Sequence, residues 1–185
     1  MSNFTPIVTP RLSLRKLAEA DLIPFIQYRN DPDVARYQSW EHIGEEEALR
    51  FIKFQRKLSP GKPGRWFQLA LELRTSLELI GDCGFKFDLE EPAQAEIGYT
   101  LARPHQGKGY ATEAVTHLLD FLFSSLGLHR VIAITDCKNT SSYLLLEHLG
   151  FRREGHFIQN VWFKGAWGDE YLYAMLGKDW ASKSG

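Results

Sequence analysis

The sequence has few of the residues that mark disulfide-linked or metal-binding proteins. Its 185 residues include two cysteines, Cys83 and Cys137, with no CxxC pair and no histidine at zinc-ligand spacing. Two cysteines do not make a disulfide framework, so both are predicted to be reduced thiols in the core. The six histidines show no clustered ligand spacing. No metal site is therefore predicted.

An excess of one charge and a long apolar run are also missing. Lys and Arg total 22 and Asp and Glu total 23, which gives a formal net charge of −1. This balance argues against a general nucleic-acid surface. No window approaches the ~18 apolar residues of a membrane span, and the N-terminal residues lack the apolar segment of a signal peptide. We expect a cytoplasmic protein that binds neither nucleic acid directly nor a membrane.

Repeats and long linkers are absent from the sequence as well. The stretch rich in proline and glycine at residues 59–65 is too short to separate two domains. With 44% hydrophobic and 24% charged residues, the composition is that of a globular protein. A chain of this length buries roughly 70% of the surface that its unfolded form exposes. We predict one domain over residues 1–185.

Hydrophobic periodicity predicts a mixed α/β fold. The most regular helical pattern covers residues 110–126, and Gly127 follows it as a C-terminal cap. Asp21 is a candidate N-cap for an earlier helix. A strand, the long helix, a strand and a short helix follow each other between residues 96 and 149, which indicates one parallel crossover in an otherwise antiparallel sheet. The predicted strands are residues 11–15, 66–73, 77–87, 96–101, 131–135, 157–163 and 171–176, and the other predicted helices are residues 22–28, 45–58 and 141–149.

The most informative segment is Arg-Pro-His-Gln-Gly-Lys-Gly-Tyr-Ala-Thr at residues 103–112, between a predicted strand and the long helix. Gly107 and Gly109 allow backbone conformations forbidden to other residues and a close approach by a ligand. Their N–H groups and the positive end of the helix would form an anion site, and we expect a pyrophosphate there. Thr112 replaces the third glycine of a Rossmann fingerprint, and a Walker loop is absent. A glycine-rich turn without a ligand remains the alternative.

These residues resemble a known family. Gln106-x-x-Gly109-x-Ala111 is similar to the acyl-CoA pyrophosphate motif of the GNAT superfamily of N-acetyltransferases, and residues 104–113 resemble its ribosomal-protein alanine N-acetyltransferase branch. Leu144 departs from the family pattern, which usually has a basic residue there. Residues 135–138, Thr-Asp-Cys-Lys, depart from it too. The other matching segments are Thr9-Pro-Arg-Leu-Ser-Leu-Arg15, Asp31-Pro-Asp-Val-Ala-Arg36, Glu96-Ile-Gly-Tyr99, Asn139-x-x-Ser142, Glu147-x-Leu-Gly-Phe151 and Lys164-Gly-x-Trp-x-Asp169.

The resemblance implies a fold and a cofactor site. In this family, helices cover both faces of a mostly antiparallel central sheet, and two parallel strands splay apart to hold the pantetheine arm of CoA. Backbone groups of the first splayed strand would pair with that arm as with an added strand. Gly98, inside this strand, is a candidate for a bulge or a close ligand approach. The CoA-binding residues implied are Tyr99, Thr100, Leu101, Gln106, Gly107, Lys108, Gly109, Tyr110, Ala111, Thr112, Asn139 and Ser142.

The resemblance also implies direct acetyl transfer from acetyl-CoA to an amine in a ternary complex. Glu96 is the candidate general base, directly or through one water, because a protonated amine must lose a proton before it attacks. The alternative for Glu96 is a strand glutamate paired with a neighbouring cation. Ser142 is the candidate proton donor to the CoA sulfur, with Tyr143 as a second candidate. Cys137 has no histidine and carboxylate placed to activate it for a covalent route.

The acceptor is less specified. Aromatic residues are numerous in the N-terminal helical region and the last hairpin, where most are expected to be core residues. The family resemblance places the acceptor cleft between these regions, so Trp40, Trp162 and Asp169 are candidate substrate contacts. The acceptor would be a protein N-terminus, such as that of a ribosomal protein, or a small-molecule amine, and the protein a monomer or homodimer. A CoA-binding regulatory or immunity module without transferase activity is the alternative function.

Overall fold

The computed structural model describes residues 4–183, which form one eight-stranded mixed sheet with helices on both faces. The strand order is β1-β2-β3-β4-β5-β6-β8-β7. The strands are β1 (Ile7–Val8), β2 (Leu12–Lys16), β3 (Trp66–Leu73), β4 (Leu79–Phe87), β5 (Gln94–Leu101), β6 (Arg130–Asp136), β7 (Arg152–Phe163) and β8 (Ala166–Leu176). The helices are α1 (Leu22–Arg29), α2 (Pro32–Ala35), α3 (Glu45–Lys57), α4 (Tyr110–Asp120), α5 (Thr140–His148) and α6 (Gly177–Ala181).

The β5–β6 pair is parallel, and the other neighbouring strands are antiparallel. The parallel ladder runs from Gln94 opposite Arg130 to Glu96 opposite Ile132 and then stops. Both strands continue beyond this point, β5 to Leu101 and β6 to Asp136. The predicted mixed sheet with splayed parallel strands is therefore confirmed.

Alternation along the strands divides the core into two layers. Leu69 of β3 packs with the buried face of α4, whereas Ala70, the next residue, packs with α1 and α3. Successive side chains of a strand point to opposite faces, so both faces of the sheet need a cover. Leu146 of α5 lies in the same cluster as α4. Helices α4 and α5 thus cover one face, and α1 and α3 the other.

The long helix agrees with its pattern except at its end. Ala114, Val115, Leu118 and Leu119 are buried at helical spacing. After α4 the backbone changes to a π-helical turn over Phe121–Ser125. The π-helical turn follows α4 without a break. Hydrophobic periodicity therefore predicts one continuous helix, whereas the structure has two hydrogen-bonding patterns.

Other predicted details need correction. Asp21 does not cap α1 with its side chain; its carboxylate accepts from the Ala18 N–H and pairs with Arg15 at 2.8 Å. Cys83 is buried, but Cys137 is half-buried in the loop after β6, outside the described core clusters. The hairpin of β7 and β8 is longer than predicted, because the first residues of its edge strand β7 are mostly exposed and polar and hide the alternation.

A buried polar group joins α1 to the sheet. Asp82 of β4 pairs with Arg29 at 2.7 Å, accepts a hydrogen bond from the Tyr28 hydroxyl and accepts another from Gln68 at 2.7 Å. Burial alone would lower the pKa of Arg29, but Asp82 raises it above its ordinary value. Burial and Asp82 both raise the pKa of Tyr28.

Among the helices of residues 4–183, none combines the length and the apolar character of a membrane span.

Candidate functional site

The gap between β5 and β6 opens into a cleft of about 580 Å³. Most of the CoA-binding residues expected from the sequence lie along one part of it. These residues are Tyr99, Thr100, Leu101, Gln106, Gly107, Gly109, Tyr110, Ala111, Thr112, Asn139 and Ser142. Lys108 is the exception, since it is not among the lining residues that the structure describes. The sequence therefore located the cleft and nearly all of this wall.

The turn before α4 has the geometry of an anion cradle. Gly107 and Gly109 have φ of +70° and +78°, a region that favours glycine, and Gly109 is the N-cap of α4. A Cβ added at Gly107 would meet nothing within 4 Å, so this side of the turn is open to a ligand. The Gln106 side-chain amide donates to the Leu101 carbonyl at 3.0 Å and ties the turn to the end of β5.

A clamp from the N-terminal segment holds the same turn. The Glu113 carboxylate of α4 accepts from the Thr9 hydroxyl at 2.5 Å and the Arg11 N–H at 2.8 Å, and pairs with the Arg11 guanidinium at 2.5 Å. Arg11 also donates to the Lys108 carbonyl at 3.0 Å. Burial alone would raise the pKa of Glu113, but its hydrogen bonds to Thr9 and Arg11 lower it. Sequence analysis missed this clamp because about a hundred residues separate its halves.

Two hydroxyl groups meet beside the gap. The Tyr99 hydroxyl of β5 lies 3.0 Å from the Ser142 hydroxyl of α5 and donates to the Ser142 carbonyl at 3.2 Å. Burial raises the pKa of Tyr99 to about 12, so this hydroxyl keeps its proton at neutral pH. Asn139 is the N-cap of α5, where its side chain accepts from the Ser142 N–H at 3.3 Å. Sequence analysis selected Tyr99 for its backbone and missed its hydroxyl.

Glu96 lies at the closed end of the gap. It is the last β5 residue in the parallel ladder, opposite Ile132. Its carboxylate pairs with Lys86 of β4 at 2.8 Å, and Glu96 is not among the described residues that line the cleft. Gly98, two positions further on the same face, does line the cleft, and a Cβ added there would lie 3.4 Å from the Trp66 ring. The β4–β5 register is regular at Gly98, so this glycine does not mark a bulge, and a Cβ there would make only ordinary van der Waals contact with Trp66.

Tyr143 faces away from the cleft. Its ring packs edge-on against Tyr171, with centroids 5.9 Å apart, and the Arg153 guanidinium lies 5.8 Å from the Tyr143 ring. It is not among the described lining residues. This packing places the Tyr143 ring outside the described lining, because neighbouring residues of a helix point in different directions, and its role as proton donor stays a prediction.

The three candidate acceptor contacts lie outside the described cleft lining. Trp40 stacks on the Arg29 guanidinium at 3.9 Å and donates to the Arg29 carbonyl at 2.9 Å. Trp162 is 61% exposed and packs against its cross-strand neighbour Trp167. Asp169 accepts from the Gln159 N–H at 2.8 Å and so holds an irregularity of β7. Each of the three side chains thus has a partner within the protein, and their role as substrate contacts stays a prediction.

Other residues form the far wall of the cleft, and sequence analysis missed them. Asp136 of β6 and Glu170 of β8 are cross-strand neighbours that both line the cleft. Asp136 accepts from the Lys138 N–H at 2.7 Å, and Glu170 accepts from the Asn160 amide at 2.6 Å. In the described part of the chain, no cation pairs with either carboxylate. Two facing like charges repel each other, so a cationic group would be favoured between them.

Comparisons with known proteins agree with this geometry. Residues 11–152 match the family model for the acetyltransferase (GNAT) domain. The chain is 36% identical over 176 residues to the uncharacterized N-acetyltransferase p20 of Bacillus licheniformis, covering 95% of this chain and 98% of that protein. It is 27% identical over 179 residues to the ribosomal protein uS5-alanine N-acetyltransferase of Escherichia coli, covering 94% and 92%.

The fold is shared with a solved structure as well. The crystal structure of a GNAT-family acetyltransferase from Bacillus anthracis matches with a TM-score of 0.83 at 31% identity, covering 94% of this chain and 99% of that one. The resemblance inferred from the turn motif is thus confirmed. Since the family match covers most of the chain and the relatives align along nearly all of it, this protein belongs to the GNAT acetyltransferase family and is an N-acetyltransferase.

Proposed function

We propose that the protein transfers an acetyl group from acetyl-CoA directly to a primary amine, with both substrates bound in the cleft. The observation that carries this proposal is the continuity of one cleft from the glycine turn, along the splayed strands, to the carboxylates of β6 and β8. A donor and an acceptor held in one cleft need no covalent enzyme intermediate, because orientation supplies much of the rate enhancement.

The glycine turn fits the pyrophosphate of CoA. The open side of Gly107 leaves the path of an anion free, and the N-terminus of α4 supplies N–H donors and a positive dipole end. Beyond Glu96, the edge of β5 that faces β6 has no ladder partner among the described residues. Backbone groups of successive strand residues point to alternate edges, and the Thr100 carbonyl and the Ala102 N–H face β4. Tyr99 and Leu101 are therefore the residues whose backbone groups are available to the amide groups of the pantetheine arm. Acetyl-CoA would supply the activated acetyl thioester.

Glu96 is our proposed general base, acting through a water. Its place at the last paired position of β5 puts its carboxylate near the point where the gap begins. The ion pair with Lys86 keeps it from lining the cleft itself, so a relay by one water is needed. Glu170 is the competing candidate, because it lines the cleft and has a neutral partner, Asn160.

The Tyr99 and Ser142 hydroxyls are our proposed proton source for the departing CoA thiolate. Ser142 lines the cleft, and its hydroxyl lies 3.0 Å from that of Tyr99. The raised pKa of Tyr99, about 12, keeps the Tyr99 hydroxyl protonated at neutral pH. When Ser142 gives its proton to the thiolate, the Tyr99 O–H would turn from the Ser142 carbonyl to the Ser142 oxygen and supply the replacement proton.

The acceptor that we propose is a primary amine, on a protein N-terminus or a small molecule. Asp136 and Glu170 favour an ammonium group at the far wall of the cleft. The Escherichia coli relative is named for acetylation of an alanine of ribosomal protein uS5, which makes a ribosomal N-terminus the first candidate. A ribosomal acceptor would place the reaction in the cytoplasm.

The test is transfer of radiolabelled acetyl from acetyl-CoA by the purified chain. The acceptor panel contains alanine-initiated ribosomal peptides, their N-terminally blocked forms, polyamines and amino-sugar antibiotics. We expect label on at least one free amine and none on the blocked peptides. A CoA-binding module without transferase activity would instead bind CoA in calorimetry and label no acceptor.

A further inference from the structure

A segment that includes most of α2 and the residues after it lies along the acceptor end of the cleft. Residues 33–40, here called the bridging segment, supply Asp33, Val34, Tyr37 and Gln38 to the cleft wall. One short helix, α2, begins the segment, and turns and bends follow it. A segment with so little regular backbone hydrogen bonding depends on its contacts with other elements for a fixed position.

Lys164 makes the most direct of these contacts. Its ammonium group, from the turn between β7 and β8, donates to the Ala35 carbonyl at 2.7 Å and the Trp40 carbonyl at 2.8 Å. These two acceptors lie near opposite ends of the bridging segment. Hydrogen bonds from a charged donor are stronger than neutral ones, so one side chain holds both ends against the hairpin.

The backbone at Lys164 also indicates a side-chain role. Lys164 and Gly165 form the two-residue connection of the hairpin, with φ of +48° and +84°. Such a turn favours Asn or Gly at its first position, because a residue with a longer side chain is strained at positive φ. The lysine carries a conformational cost in this turn and makes two hydrogen bonds that Asn is too short to extend to.

Two further contacts join the bridging segment to the donor side of the cleft. The Tyr37 hydroxyl donates to the Lys138 carbonyl at 3.2 Å, next to Asn139. Arg103, which begins the glycine-turn segment, lies 3.4 Å from Asp33. The contacts of Tyr37 and Arg103 do not involve Lys164, so loss of Lys164 would free chiefly the hairpin side of the segment.

We propose that Lys164 is a positioning residue for the amine acceptor: it fixes the bridging segment against the hairpin and so shapes the acceptor wall. This inference rests on the proposed function, since it assigns the acceptor end of the same cleft. Lys164 acts through Tyr37 and Gln38 of the segment and through its neighbour Phe163, which lines the cleft from the hairpin. It does not touch the donor turn.

The test compares Lys164→Met and Lys164→Arg with Lys62→Met, a control at another exposed lysine in a loop. We expect Lys164→Met to raise the KM for the acceptor about tenfold, the effect of losing roughly 1.4 kcal/mol of positioning. The Kd for acetyl-CoA should stay within about twofold of wild type. Arginine can donate to both carbonyls, so Lys164→Arg should recover most of the loss.

Hydrogen exchange supplies a readout that is independent of activity. The Arg36 and Gln38 amides of the bridging segment donate to backbone carbonyls, and their exchange should be faster in Lys164→Met alone. Faster exchange with an unchanged acceptor KM, or a raised KM with unchanged exchange, would overturn the inference. If the wild-type chain labels no acceptor, the proposed function fails, whereas failure of the inference appears only in the comparison of active variants.

Discussion

The two ends of the cleft are built in different ways. The proposed donor end is formed largely by one continuous stretch, from Tyr99 at the end of β5 to Thr112 in the first turn of α4. The proposed acceptor end combines the bridging segment, Asp136 of β6 and Glu170 of β8, three parts of the cleft lining that are remote in sequence. The donor end therefore depends on local backbone conformation, and the acceptor end on tertiary contacts.

Because of this difference, the residues proposed to bind the donor are separate from the residues proposed to select the acceptor. In the proposed site, a turn fixed by two glycines and a helix N-terminus holds the pyrophosphate, a group that every acyl-CoA shares. A wall assembled from three segments can change in one of them without disturbing the turn. Variants at the donor end should therefore change acetyl-CoA binding, and variants at the acceptor end should change the acceptor parameters.

The largest expected effect is loss of CoA binding in the double variant Gly107→Val and Gly109→Val. Valine is strained at the φ values of both positions, and its side chains would occupy the path of the anion. We expect affinity to fall more than about 100-fold, corresponding to about 2.7 kcal/mol or more, while the buried face of α4 keeps the chain folded. Calorimetry measures the affinity, and circular dichroism monitors folding.

Gly61→Val is the matched control for that strain. Gly61 has φ of +94° and, like Gly107, open space around an added Cβ, but it lies in the loop before β3. It should lose stability without losing CoA affinity. Unchanged affinity in the folded double variant would remove the phosphate cradle from the proposal.

The next effect distinguishes the two candidate bases. We expect Glu96→Gln to lower kcat about 100-fold, the lower end for loss of a general base, with acetyl-CoA affinity nearly intact. Glu170→Gln should instead raise the acceptor KM, because it removes one carboxylate of the far wall. Rates of both variants from pH 6 to 9 decide the assignment. A large kcat loss in Glu170→Gln with a wild-type Glu96→Gln would move the base to the far wall.

Sequence reasoning found the lining of the cleft where that lining is contiguous in sequence. Gln106, Gly107 and Gly109 could be identified because strand, turn and helix follow one another, so their order alone places the glycines at a helix N-terminus. The splay of β5 and β6 could not be derived from periodicity and came from the family resemblance. The clamp of Arg11 and Glu113 could not be predicted, because sequence order does not show that the two residues are in contact. Both residues nevertheless belong to segments that resemble the family.

At the acceptor end, side-chain direction was the missing information. Asp169 was selected, but its neighbour Glu170 is the residue that lines the cleft. Neighbouring residues of a strand point to opposite faces, and a register shift of one residue exchanges them. Trp40 was selected from the correct region, but Tyr37 of that region lines the cleft, while Trp40 covers Arg29. In both cases a nearby residue lines the cleft in place of the candidate, and the candidates' role as substrate contacts stays a prediction.

A moderate effect on the donor side is expected from Asn139→Ala. Its proposed contacts are to the pantetheine arm in the ground state as well as the transition state, so the KM for acetyl-CoA should rise about tenfold and kcat should change less. Loss of the N-cap of α5 should also cost about 1 kcal/mol of stability. Asn139→Asp keeps the cap and lacks the amide donor. If its kinetics match wild type, Asn139 is a helix cap only.

The smallest effect concerns the clamp that supports the donor turn. Glu113→Gln removes the charge that pairs with Arg11 and should cost about 1–3 kcal/mol of unfolding free energy at pH 7, with a KM for acetyl-CoA raised about threefold.

The folded state lowers the pKa of Glu113 from its ordinary value of 4.5, so its stabilising contribution is fully present above that pH. This contribution is lost as the pH falls from 4.5 through the lower pKa of Glu113 in the folded state. Between these two pKa values the unfolded chain binds the proton more readily, and below both of them the carboxyl group is protonated in both states. Urea unfolding of both proteins should therefore show a difference that is largest at pH 7 and shrinks below about pH 4.5. Glu46→Gln, at an exposed pair with Arg50, is the control and should show almost no difference at either pH. A difference between wild type and Glu113→Gln that stays constant across this range would mean that shape, and not charge, holds Arg11 beside the turn.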